Sequence, residues 1–512
     1  MADQTPYSTA SPLLGKLPDF VNDTIEQQRL AAYALYEAMY WNIPGTFAIR
    51  QRGSNADPIY VPAARQIVET FNRFLAPGLQ VVVDPEFGTT QEQELAKQVW
   101  SDFSAREKFY SKFNTGKRYG LIRGDWAWHL YADPLKEAGS RVSAYQIDPG
   151  SLFPIYNPVN IDEIIGWHII ETVLDDTGKA LISRQTYLKE TMMGGPSPII
   201  YSKALYETDD WGGPGMDEPK KVVRMEIPPT RLPDPIDALP IYVIPNFDEP
   251  GQIWGASELR GVERLIGGLN QSISDEDLAL ALEGIGVYAT DAGTPLDEND
   301  EPTTWNLGPG RVVEVPSGKK FWRVTGNASL GPYQEHLKYL HEQIDATFGH
   351  SAVAKGTVDV AIAESGVALL LQLGPLLARA DEREVIIRDV HQQLLYGLGK
   401  WYSAYEGSAF NSLWTSAVEG QSGTKWLLKF GPKLPPNAKE EFDKLMTLAQ
   451  AKPAIVPMSY VRDRLRKQGF EDMPDEATVL TAMQNEATTA AQTALDPAAD
   501  RLDREGDAFL NA

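Results

Sequence analysis

The chain has 512 residues, 43% of them hydrophobic and none of them cysteine, with a formal net charge of -23. Such a length and apolar content allow about three domains with cores of their own and exclude a disordered chain, while the missing cysteines exclude disulfides, thiolate metal sites and a cysteine nucleophile. The acidic balance argues against a tight grip on nucleic acid through many phosphate contacts, which needs clustered Lys and Arg.

Residues 1–23, rich in Pro, Ser and Thr in their first twenty, read as a flexible arm. Helices are predicted at 24–41, 63–75 and 91–113, each with an apolar stripe: Leu30, Tyr33 and Tyr40; Ile67, Val68, Phe71 and Phe74; Leu95, Val99, Trp100, Phe103 and Phe109. From 119 to about 245 the period becomes that of strands. Trp126, Trp128 and Leu130 alternate with Ala127, His129 and Tyr131, and further strands are expected at 142–147, 164–174, 181–189, 199–206, 222–227 and 241–244. Turns join them where an α/β protein has crossover helices, so the fold class is α+β.

A long helix is expected from 257 to 283, with Ser257 as its cap and Glu258 at the positive end of its dipole. Leu259, Val262, Ile266, Leu269, Ile273 and Leu280 supply its stripe, and Gly261, Gly267 and Gly268 inside it suggest close approach of another helix. Short strand-like runs at 286–290, 311–315 and 321–324 surround an acidic tip at 297–301. A second helix starts near Pro332 and presents Tyr333, Leu337, Leu340, Ile344 and Phe348 before Gly349. The segment 350–363 is small and nearly uncharged, with Lys355 its only cation. A third helix, 364–402, is expected to kink at Gly374 and Pro375. A strand at 425–430 and a helical C-terminal unit complete the chain. Its most apolar run, 367–378, is too short to span a membrane, and no leader-like pattern opens the sequence, so a soluble, non-secreted chain is expected.

This order of parts resembles the portal, or head-to-tail connector, proteins of tailed bacteriophages. The phrases that carry the resemblance are Ile-Pro-Asn-Phe at 244–247, Trp-Gly-Ala-Ser-Glu-Leu at 254–259, Leu-Asn-Gln-Ser-Ile-Ser-Asp-Glu-Asp at 269–277, Ser-Gly-Val-Ala-Leu at 365–369 and Lys-Phe-Gly-Pro-Lys-Leu-Pro at 429–435. The resemblance implies a β-containing wing (24–254 with the strand near 425–430), a two-helix stem (255–284 and 331–349) and a small α/β clip (285–330). It further implies a tunnel loop (350–364), a long kinked helix (365–403), a helical crown (433–490) and a flexible tail (491–512). The subunits would form a ring of about a dozen copies at a capsid vertex of the virion, assembled in the host cytoplasm. Double-stranded DNA would pass through it during packaging and ejection, and its partners would be the terminase large subunit, the head-tail adaptor, and the major capsid and scaffold proteins. No membrane, metal or cofactor is implied.

Two departures from the family pattern are the acidic clip tip and the low charge of the tunnel loop. Candidate tunnel-loop residues are Ala352, Val353, Ala354, Lys355, Thr357 and Val358, with Lys355 either touching phosphate or merely solvated. Candidates in the clip are Arg311, Lys319, Lys320 and Arg323, which either face the motor or pair with the neighbouring 297–301 carboxylates. From 255 to 350 the chain carries 15 Asp and Glu against 7 Lys and Arg. An acidic lining of that kind repels DNA and leaves it free to slide.

Signals for catalysis are weak. There is no phosphate loop of the G-x-x-x-x-G-K-[ST] type and no G-x-S-x-G elbow. The stretch 284–289 resembles a dinucleotide fingerprint but follows a helix, and His336 and His341 stand five apart, on different helix faces. No catalytic residue is assigned and the chain is expected not to be an enzyme. An acidic cytosolic hydrolase and another phage head structural protein are the competing readings.

Overall fold

The strand that carries Trp126, Trp128 and Leu130 lies at the centre of the fold. The computed structural model describes residues 24–50, 58–157, 159–160, 163–190, 197–207, 222–249, 252–285, 287–296, 301–302, 305, 315–324, 331–356, 366–413, 423–433 and 447. In it β2 (Asp125–Ala132) is buried on both faces. It pairs antiparallel with β3 (Val142–Ile147) and β9 (Ile241–Pro245) in a three-stranded sheet. On one face Trp126 and Trp128 pack against Phe109, Phe113 and His391, and the Trp128 indole N–H donates to His391 Nε2 at 3.1 Å. On the other, His129 meets the hydroxyls of Tyr145 and Tyr187. Burial with no nearby charge pushes the His129 imidazole down to about 3, so it is neutral.

Tyr187 belongs to a second sheet, a five-stranded antiparallel meander of β4 (Leu152–Tyr156), β5 (Ile164–Leu174), β6 (Ala180–Lys189), β7 (Ile199–Glu207) and β8 (Val222–Arg231). The turn from β5 to β6 is tight. Between β5 and β6 the Asp175 carboxylate accepts from the backbone of Thr177 at 2.9 Å and of Lys179 at 2.8 Å, which reverses the chain within a few residues. The far face of the meander is covered by α1 (Thr24–Tyr40), through a cluster of Leu30, Tyr33, Phe153, Ile170, Ile182, Ala204 and Tyr206.

Three further helices complete this part: α2 (Ala63–Phe74), α3 (Thr90–Arg106) and α4 (Phe109–Arg123). The single helix expected at 91–113 is therefore two. The break falls in the polar run Arg106-Glu107-Lys108, where Lys108 adopts φ 51. Strands begin at Asp125 and not at 119, because Phe113, Lys117, Gly120 and Leu121 keep the helical period and are buried. Gly124, at φ 115, ends α4; a Cβ there would lie 2.5 Å from the Gly255 carbonyl. The strand expected near 425–430 is β12 (Trp426–Lys429), which pairs antiparallel with β1 (Gln80–Val83).

Buried charges tie these layers together. The Arg29 guanidinium binds Glu26 at 2.5 Å, donates to the carbonyls of Pro149 and Leu152, and lies 3.9 Å over Trp254. Arg123 bridges Glu37 at 2.7 Å and Asp148 at 2.5 Å. The chain divides into two compact units, Met1–Lys433 and Leu434–Ala512, and every element above lies in the first. The expected arm at 1–23 falls outside the described residues, as do the tail at 491–512 and, apart from Lys433 and Thr447, the expected crown. No described helix is long and apolar enough to cross a membrane.

Candidate functional site

The segment expected to hold the stem begins with a turn. Ser257 is not a helix cap: its hydroxyl donates to the Ile122 carbonyl at 2.6 Å and accepts from the Leu259 amide, which bends the chain instead. Gly261 at φ 93 then prevents helical continuation, and α5 (Glu263–Ile285) starts six residues later than expected. The carboxylate of Glu263, the first residue of α5, accepts from the Gly261 amide at 2.9 Å and from the Tyr36 hydroxyl at 2.7 Å, which fixes the turn before the helix. Among the described residues no helix closes on Gly267 or Gly268. Gly267 lies under Phe47, 3.3 Å from a Cβ placed there, and Gly268 has nothing within 4 Å.

At 23 residues α5 is about 35 Å long. It leaves the core along its length. Leu259 and Val262 before it, with Ile266, Leu269 and Asn270 in its first turns, are buried, whereas none of residues 271–280 is, and Leu280 is 47% exposed. After it, β10 (Val287–Thr290) and β11 (Phe321–Val324) pair antiparallel. The described residues of 286–330 hold these strands and one bridge between Leu296 and Pro302; the rest of the expected clip lies outside the described residues. The return helix, α6 (Gly331–Phe348), repeats the gradient in reverse: of its residues only Leu340, Ile344 and Phe348, near its end, are buried. Between their buried roots, the two helices rest on each other and carry exposed apolar side chains, Tyr339 at 54% among them. Together they hold eight Asp and Glu against two Lys and Arg.

α6 ends where Gly349 takes φ 65 and the His350 amide donates to the Asp345 carbonyl at 2.9 Å, a Schellman-type stop. His336 and His341 are both exposed. Of the expected tunnel-loop residues, Ala352 and Lys355 are exposed, Val353 is half-buried and Ala354 is buried at 4%, while Thr357 and Val358 lie outside the described residues. Lys355 is neither bare nor simply solvated: its ammonium pairs with the Asp345 carboxylate. Among the clip residues Lys319, Lys320 and Arg323 are exposed at the β10–β11 end, with Arg323 opposite Tyr288 in register. The Lys320 main chain binds the side chains of Asp291 and Thr290. Arg311 lies outside the described residues, as do 297–300 of the 297–301 stretch whose carboxylates are the expected alternative partners of these cations.

The third helix, α7 (Gly366–Glu406), runs through Gly374 and Pro375 without ending there. Gly349 packs on Pro375, 3.0 Å from Pro375 Cβ to a Cβ built on the glycine. One turn on, Arg379 pairs with the buried Glu258 and lies over the rings of Phe348 and Phe71 at 5.5 and 5.6 Å. This contact roots both arms of the helix pair, and nothing in the sequence marks it. Among the described residues no group of three or more His, Asp or Glu is arranged to hold a metal. No family model matches the sequence, and none of the curated proteins matches it.

Proposed function

We propose that this chain is a subunit of a portal ring of the tailed-bacteriophage kind, a channel for double-stranded DNA at a capsid vertex. One observation carries the reading: α5 and α6 leave the core as a pair on which, beyond the buried roots, Leu280, Tyr333 and Tyr339 are exposed and Ile273, Leu278 and Leu337 are only half-buried. Apolar side chains left uncovered along both helices suit an interaction face, and copies of the same chain standing side by side around an axis would cover them. Eight acidic residues against two basic ones on the pair then suit a wall from which a polyanion is repelled. The β10–β11 end, with Lys319, Lys320 and Arg323, would face the terminase large subunit and later the head-tail adaptor. Capsid and scaffold proteins would surround the body of the ring in the virion.

Electron microscopy of the purified full chain tests this directly. A pierced ring with α5 and α6 on its inner wall is the expected image. A folded monomer at micromolar concentration, or a closed shell, overturns it.

A further inference from the structure

The end of α6 and the six residues after His350 make a closed structure of their own. His350 is 6% exposed, its ring centroid lies 5.6 Å from that of Phe348, and its Nε2 has no hydrogen-bond partner. Residues 351–356 then fold back as a tight turn. The Ala354 amide donates to the Ser351 hydroxyl at 3.3 Å, the Lys355 amide to the Ala352 carbonyl at 3.2 Å and the Gly356 amide to the Val353 carbonyl at 3.0 Å. Ala354 is buried beneath this turn, and the ion pair from Lys355 to Asp345 fastens it to the helix. We propose that residues 351–356 are a strap released by protonation of His350, with Asp345 as a counter-ion that serves Lys355 when the strap is closed and the His350 imidazolium when it is open.

The charged groups whose fields act on the His350 ring are Asp345 on α6, Lys355 on the strap and Arg379 on α7, the last already paired with Glu258. A proton on the buried ring would add a third cation to a site whose one available carboxylate is engaged by Lys355. Burial pushes the imidazole down to about 4; Asp345 opposes this, while Arg379 and Lys355 add to it. An opened strap exposes the ring and returns it toward about 6.5. The sign follows: the closed form binds fewer protons than the open one below about 6.5, so closure is fully stable above that value and weakens as pH falls toward 4. The largest shift in the open-to-closed ratio is on the order of 300-fold. The inference stands apart from the ring reading, since it concerns a contact within one subunit.

The chain contains no cysteine, so Ala354→Cys places a unique thiol under the strap. Its rate of reaction with an aromatic disulfide reagent, divided by the rate in the urea-unfolded chain at the same pH, reports opening. In the full chain the thiol is expected to be protected at pH 7.5 and at least ten-fold less protected at pH 4.5. Adding His350→Gln should flatten that profile, and adding Lys355→Met should lower protection at both pH values. An unchanged pH profile in the His350→Gln background overturns the proposal, as does full reactivity at pH 7.5. Hydrogen exchange at the amides of Ala354, Lys355 and Gly356 in the chain without the thiol carries the same expectation, with and without His350→Gln, should the cysteine variant fail to fold.

Discussion

The Arg379 guanidinium is ion-paired with the carboxylate of Glu258, whose side chain is 1% exposed, across 121 positions of sequence. The pair joins α7 to the turn that precedes α5, and its cation lies over Phe348 at the end of α6. Removing one partner of a buried pair leaves an uncompensated charge. Arg379→Met is therefore expected to cost about 3 kcal/mol, and Arg379→Met with Glu258→Gln much less than that. Urea denaturation of the three proteins measures the difference; equal losses in the single and double variants would assign the effect to packing over Phe348 instead.

Asp125 is fully buried and accepts from the Tyr33 hydroxyl at 2.5 Å, while its second carboxylate oxygen has no partner. Burial raises its carboxyl to about 7, against the pull of Arg29, the Tyr33 bond and Arg123. A raised carboxyl contributes stability that is complete below about 3.8 and is lost as pH rises through 7. Asp125→Asn should remove this slope, which amounts to on the order of 4 kcal/mol at most. The readout is unfolding free energy of both proteins from pH 4 to 7.5.

Lys117 behaves in the opposite sense. Its ammonium is buried and caps the end of α2, donating to the carbonyls of Leu75 at 2.7 Å and Asn72 at 3.2 Å. Burial lowers it to about 8, with Arg118 adding to the shift and Glu384 and Glu69 opposing it. The folded form then releases its proton before the unfolded form does, so stability grows between about 8 and 10.5 and is lost as pH falls back through 8. Lys117→Met should abolish that rise, at most about 3 kcal/mol, in melts compared at pH 7.5 and 10.

On the portal reading, α5 and α6 line the path of DNA. Replacing Asp275, Glu276 and Asp277 together by Lys changes six charges per subunit and should slow packaging several-fold. The slowing should shrink as salt is raised, because counterion release weakens with ionic strength. Asp345→Asn should act in the same direction by freeing Lys355 from its partner. Packaging rates at two salt concentrations test both, and rates equal to those of the unaltered ring would exclude the slippery wall.

Periodicity made several elements legible. The apolar runs at 142–147 and 164–174 have the bounds of β3 and β5, because alternation over six or more residues admits few other structures. The short runs at 286–290, 321–324 and 425–430 hold β10, β11 and β12, whereas β1, also of four residues, and β4, which contains Pro154, were not expected. The split of the helix expected at 91–113 depends on a left-handed Lys108, for which no residue-type signal exists. At the candidate site Lys355 stood out as a lone cation, yet its neutralisation by Asp345 required the chain to turn back at Gly349.

The residues by themselves determined that this chain is α+β, acidic and without cysteine, with long helices around a short β excursion. Those are local properties, set by composition, by the period of apolar positions and by Gly and Pro at turns. Only the tertiary structure decided that α5 begins at Glu263, that Glu258 and Arg379 root the helix pair, and that burial along the pair fades from both ends. The physical reason is that burial and ion pairing depend on which distant segments meet, and residues 121 positions apart carry no mark of each other until the backbone has brought them together.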